Sequence, residues 1–551
     1  MIGVESGDRS LAPMRDELIG RLIEARVASR LGARDATLWG PEAEAEARIR
    51  LDWVVATAEA EAIIAEVEAL RAELQSRGID RVVLCGMGGS SLAPEVICQR
   101  YAVALEVLDS THPTQVARAL HGALERTVVV VASKSGGTIE TRSHLLAFEA
   151  AYRNAGLDPA AHIVIVTDPG SPLDDGSSAK GYRVFRANPN VGGRFSALTA
   201  FGLVPSGLAG ANVRELVAEA AAVREQLIAD IPSNPALQLT SAIICGLPER
   251  YAIVLHECEN EPAGISAWIE QLVAESTGKN GQGVLPVAIS EHSPEAHQTS
   301  APASSLVINL EWLLEGGKDL SDRELEDFEV LVYAPLGAQL LLWEFATAML
   351  GYCMGVDPFN QPDVESAKVA ARKLLDAPRT SESLLGELSD MPGTSVVVAD
   401  HVVRALNADD ALAHAVPQNI AELQAALEAS IPSGGYLAIQ AYLDRSDEEV
   451  SRHLVALRDV LADRLGVPVT LGWGPRFLHS TGQLHKGGPA LGVFLQLLDS
   501  PAADLPIAAS EMTFGQLISA QAAGDRNVLA AHGRPVIALR MRDAHAIASL
   551  L

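Results

Sequence analysis

Apolar residues in the first 78 positions recur at helical spacing, as in LDWVVATAEAEAIIAEVEALRAELQSRG over residues 51–78. Alanine, glutamate, leucine and arginine fill the intervening places, so the pattern predicts an N-terminal helical segment over 1–78. At Asp80 the texture changes. RVVLCGMGGSSLAPEVI (81–97) reads as an apolar strand, a glycine turn and the start of a helix. The same grammar returns in ALEVLD, TVVVVASKSGGTIET, HIVIVTDPGSPL and YRVFRANPN. Strands that alternate with helical stretches at this spacing predict a parallel sheet covered by helices on both faces.

A largely helical stretch over 197–250 precedes a second α/β unit. There YAIVLHE, GVLPVAIS and SSLVINLEW read as strands and AGISAWIEQLVAEST as a helix. Residues 336–355 predict an amphipathic helix closed by Gly355. After a polar stretch, DAPRTSESLLGELSD, a third region offers the strands GYLAIQAYL and PVTLGWG around a capped helix, SDEEVSRHLVALRDVLADRLG. The fold class is therefore α/β. The expected division is a helical segment 1–78, α/β domains over 79–235 and 236–380, and a C-terminal α/β region over 381–551. No short-period repeat is evident.

With 551 residues, 48% of them hydrophobic, the chain can bury several cores, roughly three or four domains of about 150 residues. Its formal net charge of −28 repels nucleic acid and anionic membranes, which argues against both as partners. An anionic substrate needs a locally positive site within that field. The opening MIGVESGDRSLAP has no basic-then-apolar leader, and no apolar run is long enough to span a bilayer. The five cysteines, Cys85, Cys98, Cys245, Cys258 and Cys353, form no CxxC pair. They read as reduced, buried thiols of a cytoplasmic protein. The histidines show no metal spacing, so no metal is expected.

The candidate chemistry lies at two strand-to-helix junctions, CGMGGSSLAPEV and ASKSGGTIETR. Glycines there let backbone amides approach a ligand, and each following helix turns its positive N-terminal end toward it. Ser90, Ser91, Ser133, Ser135 and Thr138 add hydroxyls. Many neutral donors at the carboxyl edge of a parallel sheet suit a phosphate dianion, although ordinary tight turns share the pattern. Neither loop has the spacing of a Walker motif or a dinucleotide fingerprint. In NPNVGGRFSALTAFGL, residues 188–203, paired glycines precede Arg194. An arginine there can hold developing oxyanion charge or simply satisfy its own loop.

These motifs resemble the glucose-6-phosphate isomerase family. NVGGRFSALTAFGL resembles its first signature, and PFNQPDVESAK, residues 358–368, its second, with Asp363 where that signature normally has glycine or alanine. GMGGSS and SKSGGTIET resemble the family's sugar-phosphate loops, and QLVAESTGKNGQG its ESxGK segment. The LHSxGQ motif, found before the lysine signature in shorter bacterial members, appears here at 477–489 in FLHSTGQLHKGGP. That order resembles the isomerase portion of transaldolase/glucose-6-phosphate isomerase fusions.

The resemblance implies two sugar-isomerase (SIS) domains and aldose–ketose isomerisation of a sugar phosphate, without a cofactor. It implies a homodimer, with His479 acting in its own or the neighbouring subunit. Glu275 becomes the proton-transfer base, Lys368 the partner of the ring oxygen, His479 the ring-opening acid/base with His485 as rival, and Arg194 the stabiliser of the enediolate. Gly88, Gly89, Ser90, Ser133, Ser135, Thr138, Gly193 and Gln483 become substrate-binding, and Lys134 is assigned no contact. The alternatives are a dual phosphoglucose/phosphomannose isomerase and a non-catalytic sugar-phosphate-binding SIS protein. The second would lose Glu275, Lys368 or Arg194, and all three are present.

Overall fold

A computed structural model describes residues 2–257, 264–297, 304–312, 325–364, 389–391, 394–396, 420–501, 503–541 and 544–551. Cys258 and Lys368 lie outside the described residues. The chain divides into two compact units. One comprises Met1–Asp109, Leu120–Thr277 and Val284–Asn360, and the other Ser110–Ala119, Gly278–Gly283 and Gln361–Leu551.

The first unit begins with a strand, β1 (Gly3–Ser6). Helices follow, the longest being Ala56–Ser76. The 1–78 segment is thus helical apart from β1, which is too short to show a period of its own. Next come β2 (Arg81–Gly86), β3 (Glu106–Leu108), β4 (Thr127–Ala132), β5 (Ile163–Thr167) and β6 (Arg183–Arg186). They form a parallel sheet in the order β3-β2-β4-β5-β6. Every residue of β4 and β5 is buried, which is why these strands read as unbroken apolar runs: helices cover both faces.

A second sheet uses β7 (Ala252–Glu257), β8 (Leu285–Ile289), β9 (Ser305–Glu311) and β10 (Glu329–Tyr333). Its order is β1-β10-β9-β7-β8, all parallel except the antiparallel β1 edge. The helix expected over 336–355 is Leu336–Met354, ended by left-handed Gly355. It is not amphipathic: Leu336 to Gly351 are all buried. The Val213–Leu227, Pro235–Ile244 and Ile265–Thr277 helices pack around it, so no face is left for solvent.

The second unit holds β11 (Ser389–Met391), β12 (Thr394–Val396), β13 (Tyr436–Tyr442), β14 (Val469–Trp473), β15 (Gly492–Leu498) and β16 (Val536–Arg540) in the order β11-β12-β16-β15-β13-β14. The predicted capped helix is Glu448–Leu465. Asp447 accepts from the Glu449 and Val450 amides at its start, and Gly466 closes it. One arrangement recurs among four consecutive parallel strands of each sheet. The first of the four lies between the second and the third, and the fourth adds beyond the third, as in β3-β2-β4-β5, β8-β7-β9-β10 and β14-β13-β15-β16. Strand order therefore reverses beside β2, β7 and β13, and such switch points are where open α/β sheets receive ligands.

Of the cysteines expected to be buried, Cys85 and Cys98 are, whereas Cys245 and Cys353 are partly exposed. Burial raises the Cys98 and Cys353 thiols to about 12, so both stay protonated. No described helix is long and apolar enough to cross a membrane.

Candidate active site

Both glycine loops leave the strands that flank the first sheet's switch point. After β2 the chain makes a short turn, Gly88–Ser90, before the Leu92–Arg100 helix. After β4, residues 133–138 lead into the Ile139–Asn154 helix. A Cβ on Gly89 would lie 2.1 Å from the Gly193 carbonyl oxygen. The GMGGSS loop and the NVGGRF turn therefore pack backbone against backbone, and only glycine permits it. A Cβ on Gly193 would meet nothing within 4 Å, so packing does not demand glycine there.

The hydroxyls divide into two groups. The Ser133 hydroxyl donates to Thr138 Oγ1 at 3.1 Å, and Ser135 Oγ accepts from the Gly137 amide at 3.2 Å. Thr138 precedes the Ile139–Asn154 helix but does not cap it with its side chain, and the helix turns its positive N-terminal end toward the loop. Ser90 is buried. Ser91, expected to be a further donor, is fully buried and spends its hydroxyl on the Gly88 carbonyl at 3.2 Å. Lys134 donates to Asp168 at 2.6 Å and to the Pro189 carbonyl at 3.1 Å, which agrees with its having no assigned ligand. Burial lowers the Lys134 ammonium and raises the Asp168 carboxyl from their ordinary values.

Arg194 is 3% exposed. Its Nε donates to Ser276 Oγ at 2.8 Å, and its Nη2 to the Pro358 and Asn360 carbonyls at 2.5 and 3.0 Å. Its Nη1 lies 3.4 Å from Glu275 Oε1. Burial pulls the guanidinium below its usual range, while Glu275 and Asp357 act in the opposite direction. Glu275 sits in the last turn of the Ile265–Thr277 helix, where Gln271 donates to its other oxygen at 3.3 Å. The two signature segments touch directly: the Phe195 and Phe359 rings are 5.5 Å apart, and Phe195 stacks on Trp53. Thus Gly88, Gly89, Ser90, Ser133, Ser135, Thr138, Gly193, Arg194 and Glu275 all belong to one compact unit. Ser276 was not singled out from the sequence, although it stands next to Glu275 in the ESTGK string.

The second unit carries the displaced motif. His479 ends the Arg476–His479 turn and is partly buried, and the Gly482–Gly487 helix follows. Its rival, His485, is buried among Phe494, Phe477 and Tyr436, with ring centroids 5.0, 6.2 and 6.3 Å away. Neither of its ring nitrogens has a hydrogen-bond partner among the described residues. Burial first, then Lys486 and Arg534, hold its pKa well below 6.5. A neutral imidazole walled by rings is a poor proton shuttle at neutral pH, which weighs against His485.

Gln483 is the residue of the displaced motif that the resemblance makes substrate-binding. It is fully buried. Its amide donates to the Gly278 carbonyl at 2.9 Å and to Asp363 Oδ2 at 2.6 Å, and its oxygen accepts from the Asp363 amide at 2.9 Å. Both of its N–H groups are taken by protein. Among the described residues no group of three His, Cys, Asp or Glu side chains is placed to hold a metal ion.

Residues 46–282 match the phosphoglucose isomerase family. The chain is 29% identical over 343 residues to a glucose-6-phosphate isomerase of Cyanothece sp. (strain PCC 7425 / ATCC 29141), covering 53% of this chain and 65% of that one. It is 30% identical over 363 residues to the chloroplastic glucose-6-phosphate isomerase 1 of Arabidopsis thaliana, covering 56% and 59%. It therefore spans less than two thirds of the length of either relative. A hypothetical protein of Thermus thermophilus superposes with a TM-score of 0.58 at 25% identity, over 68% of this chain and all of that one. A glucose-6-phosphate isomerase of Chlamydia trachomatis, at 21% identity, shares the fold with a TM-score of 0.54 over 68% of this chain and 88% of its own. Residues 46–282, the stretch that holds both glycine loops, Arg194 and Glu275, are thus similar to the phosphoglucose isomerase family.

Proposed function

We propose that this chain is an aldose–ketose isomerase that interconverts glucose 6-phosphate and fructose 6-phosphate through ring opening and a cis-enediolate. The observation that carries the reading is the buried Arg194 guanidinium 3.4 Å from the Glu275 carboxylate, in the same unit as the hydroxyl-lined loops. The reaction moves a proton between C2 and C1 of the opened sugar. Glu275 takes the C2 proton and returns it to C1 on the same face, which one carboxylate can do without changing partner. Arg194 stabilises the negative charge on the enediolate oxygens, and Ser276, Pro358, Asn360 and Glu275 help to hold it in place before reaction begins.

His479 and Lys368 move the proton between O1 and O5 that opens the ring. Ser90, Ser133, Ser135, Thr138 and the N-terminal end of the Ile139–Asn154 helix hold the phosphate, with Gly88, Gly89 and Gly193 giving the backbone room. The chemistry calls for no metal, hydride carrier or nucleotide. The working form is a cytoplasmic homodimer, as the resemblance implies, and the chain order is that of the isomerase portion of the transaldolase fusions.

A coupled assay of fructose 6-phosphate conversion, with mannose 6-phosphate run in parallel, tests the reading. Turnover of the fructose ester alone is expected. Comparable turnover of both makes the enzyme a dual phosphoglucose/phosphomannose isomerase, and turnover of neither contradicts the proposal.

A further inference from the structure

Three stretches far apart in sequence meet around one side chain in the second unit. Gln483 has two amide hydrogens and one carbonyl oxygen. The hydrogens go to the Gly278 carbonyl and the Asp363 carboxylate, and the oxygen receives the Asp363 amide. Asp363 thus grips both ends of the carboxamide. The Gly281 amide adds a bond to the Gly487 carbonyl at 2.9 Å. The knot leaves no space: a Cβ on Gly487 would lie 2.3 Å from Asp363 Oδ2 and 2.8 Å from both Gln483 Nε2 and the Gly278 oxygen. Its members are the 278–283 turn, which begins three residues after Glu275, residue 363 of the second signature, and the Gly482–Gly487 helix, which begins three residues after His479.

We infer that Asp363 is a positioning residue: its carboxylate and amide hold Gln483, and through it they set the Arg476–His479 turn and the 278–283 turn in register. Position 363 is where the second signature normally carries glycine or alanine, neither of which could accept this bond with a side chain. The departure from the signature thus supplies the acceptor for a residue of the displaced motif. Gln483 consequently serves the arrangement of the site and does not bind sugar. The inference rests on the isomerase reading for its effect on rate and on the hydrogen bonds alone for its effect on local order.

The test compares the full-length protein with Asp363→Ala and Asp363→Asn, by amide hydrogen exchange over residues 476–487 and by steady-state kinetics with fructose 6-phosphate. Asp363→Ala should speed exchange across 476–487 and lower kcat by about 10²-fold, the scale of an ångström-sized misplacement, with KM nearly unchanged. Asn offers an acceptor oxygen at the same place, so Asp363→Asn should recover most of both properties. Unchanged exchange in Asp363→Ala overturns the inference. So does a raised KM at constant kcat, which would mean that Gln483 touches substrate. A wild-type protein that turns over no sugar phosphate contradicts the proposed function alone, and the exchange comparison still decides the knot.

Discussion

Arg194 and Glu275, 81 positions apart in the sequence, form a buried ion pair with Nη1 3.4 Å from Oε1. The spacing is loose for an ion pair, and the other guanidinium nitrogens are tied to Ser276, Pro358 and Asn360. Neutral acceptors therefore hold the arginine together with the carboxylate. In the proposed reaction the arginine's charge serves the substrate's oxygens when the proton leaves carbon.

Removing Arg194 should harm stability and rate together. Arg194→Ala strands Glu275 without its cation, a loss of about 3–5 kcal/mol by analogy with other broken buried pairs, and should lower kcat by about 10²–10³-fold. Arg194→Lys keeps the charge but cannot reproduce the planar fork to three oxygens, so it should also lose most of the turnover. Urea denaturation and initial rates on the same preparations check both effects.

Two glycines that look alike in sequence should behave differently. Gly89→Ala pushes a methyl group into the Gly193 carbonyl, and overpacking of that kind costs about 1–3 kcal/mol. Gly193→Ala has open space around its Cβ. It should leave stability within about 0.5 kcal/mol while raising KM for the sugar phosphate. Thermal unfolding and KM measured for both variants separate a packing glycine from a glycine that makes room for ligand.

Glu344 makes stability depend on pH. It is 1% exposed in the middle of the Leu336–Met354 helix, Oε1 has no hydrogen-bond partner among the described residues, and burial raises its pKa well above 4.5. The folded state keeps the proton longer than the unfolded chain does. The stabilisation is complete below pH 4.5 and declines as pH rises toward the folded pKa, by up to ~1.4 kcal/mol per unit. Glu344→Gln should flatten that slope in denaturation curves recorded between mildly acidic and alkaline pH.

His485 produces the opposite slope. Its folded pKa lies below 6.5, so the unfolded chain takes up the proton first and stability falls as pH drops below that value. His485→Phe, in a cage of aromatic rings, should remove this acid-side loss and keep isomerase turnover. His479→Ala should keep the acid-side loss and slow conversion of cyclic sugar. Acid titration of stability, set beside the rates of both variants, distinguishes the two histidines.

Much of this was legible in the sequence, because the signals were local. Unbroken valine and isoleucine runs in TVVVVA and HIVIVT gave buried parallel strands, and glycines after them gave the loops. The motif strings single out Arg194 and Glu275. What escaped depended on long-range packing. Nothing local shows that the Leu336–Met354 helix is enclosed on every side, since its composition is equally that of a helix with one buried face. Ser91 reads like Ser90, and only the turn geometry sends its hydroxyl to Gly88. Gln483 looked like a ligand contact because of the motif it belongs to. Its partners are a glycine carbonyl 205 residues away and an aspartate 120 residues away, which no periodicity reveals.

The most direct test of the central claim is the turnover of fructose 6-phosphate by Glu275→Gln, with sugar-phosphate affinity measured on the same protein. Loss of the proton-transfer base should lower kcat by about 10²–10⁴-fold and leave affinity close to that of the wild type. A variant that turns over at the wild-type rate would contradict the account.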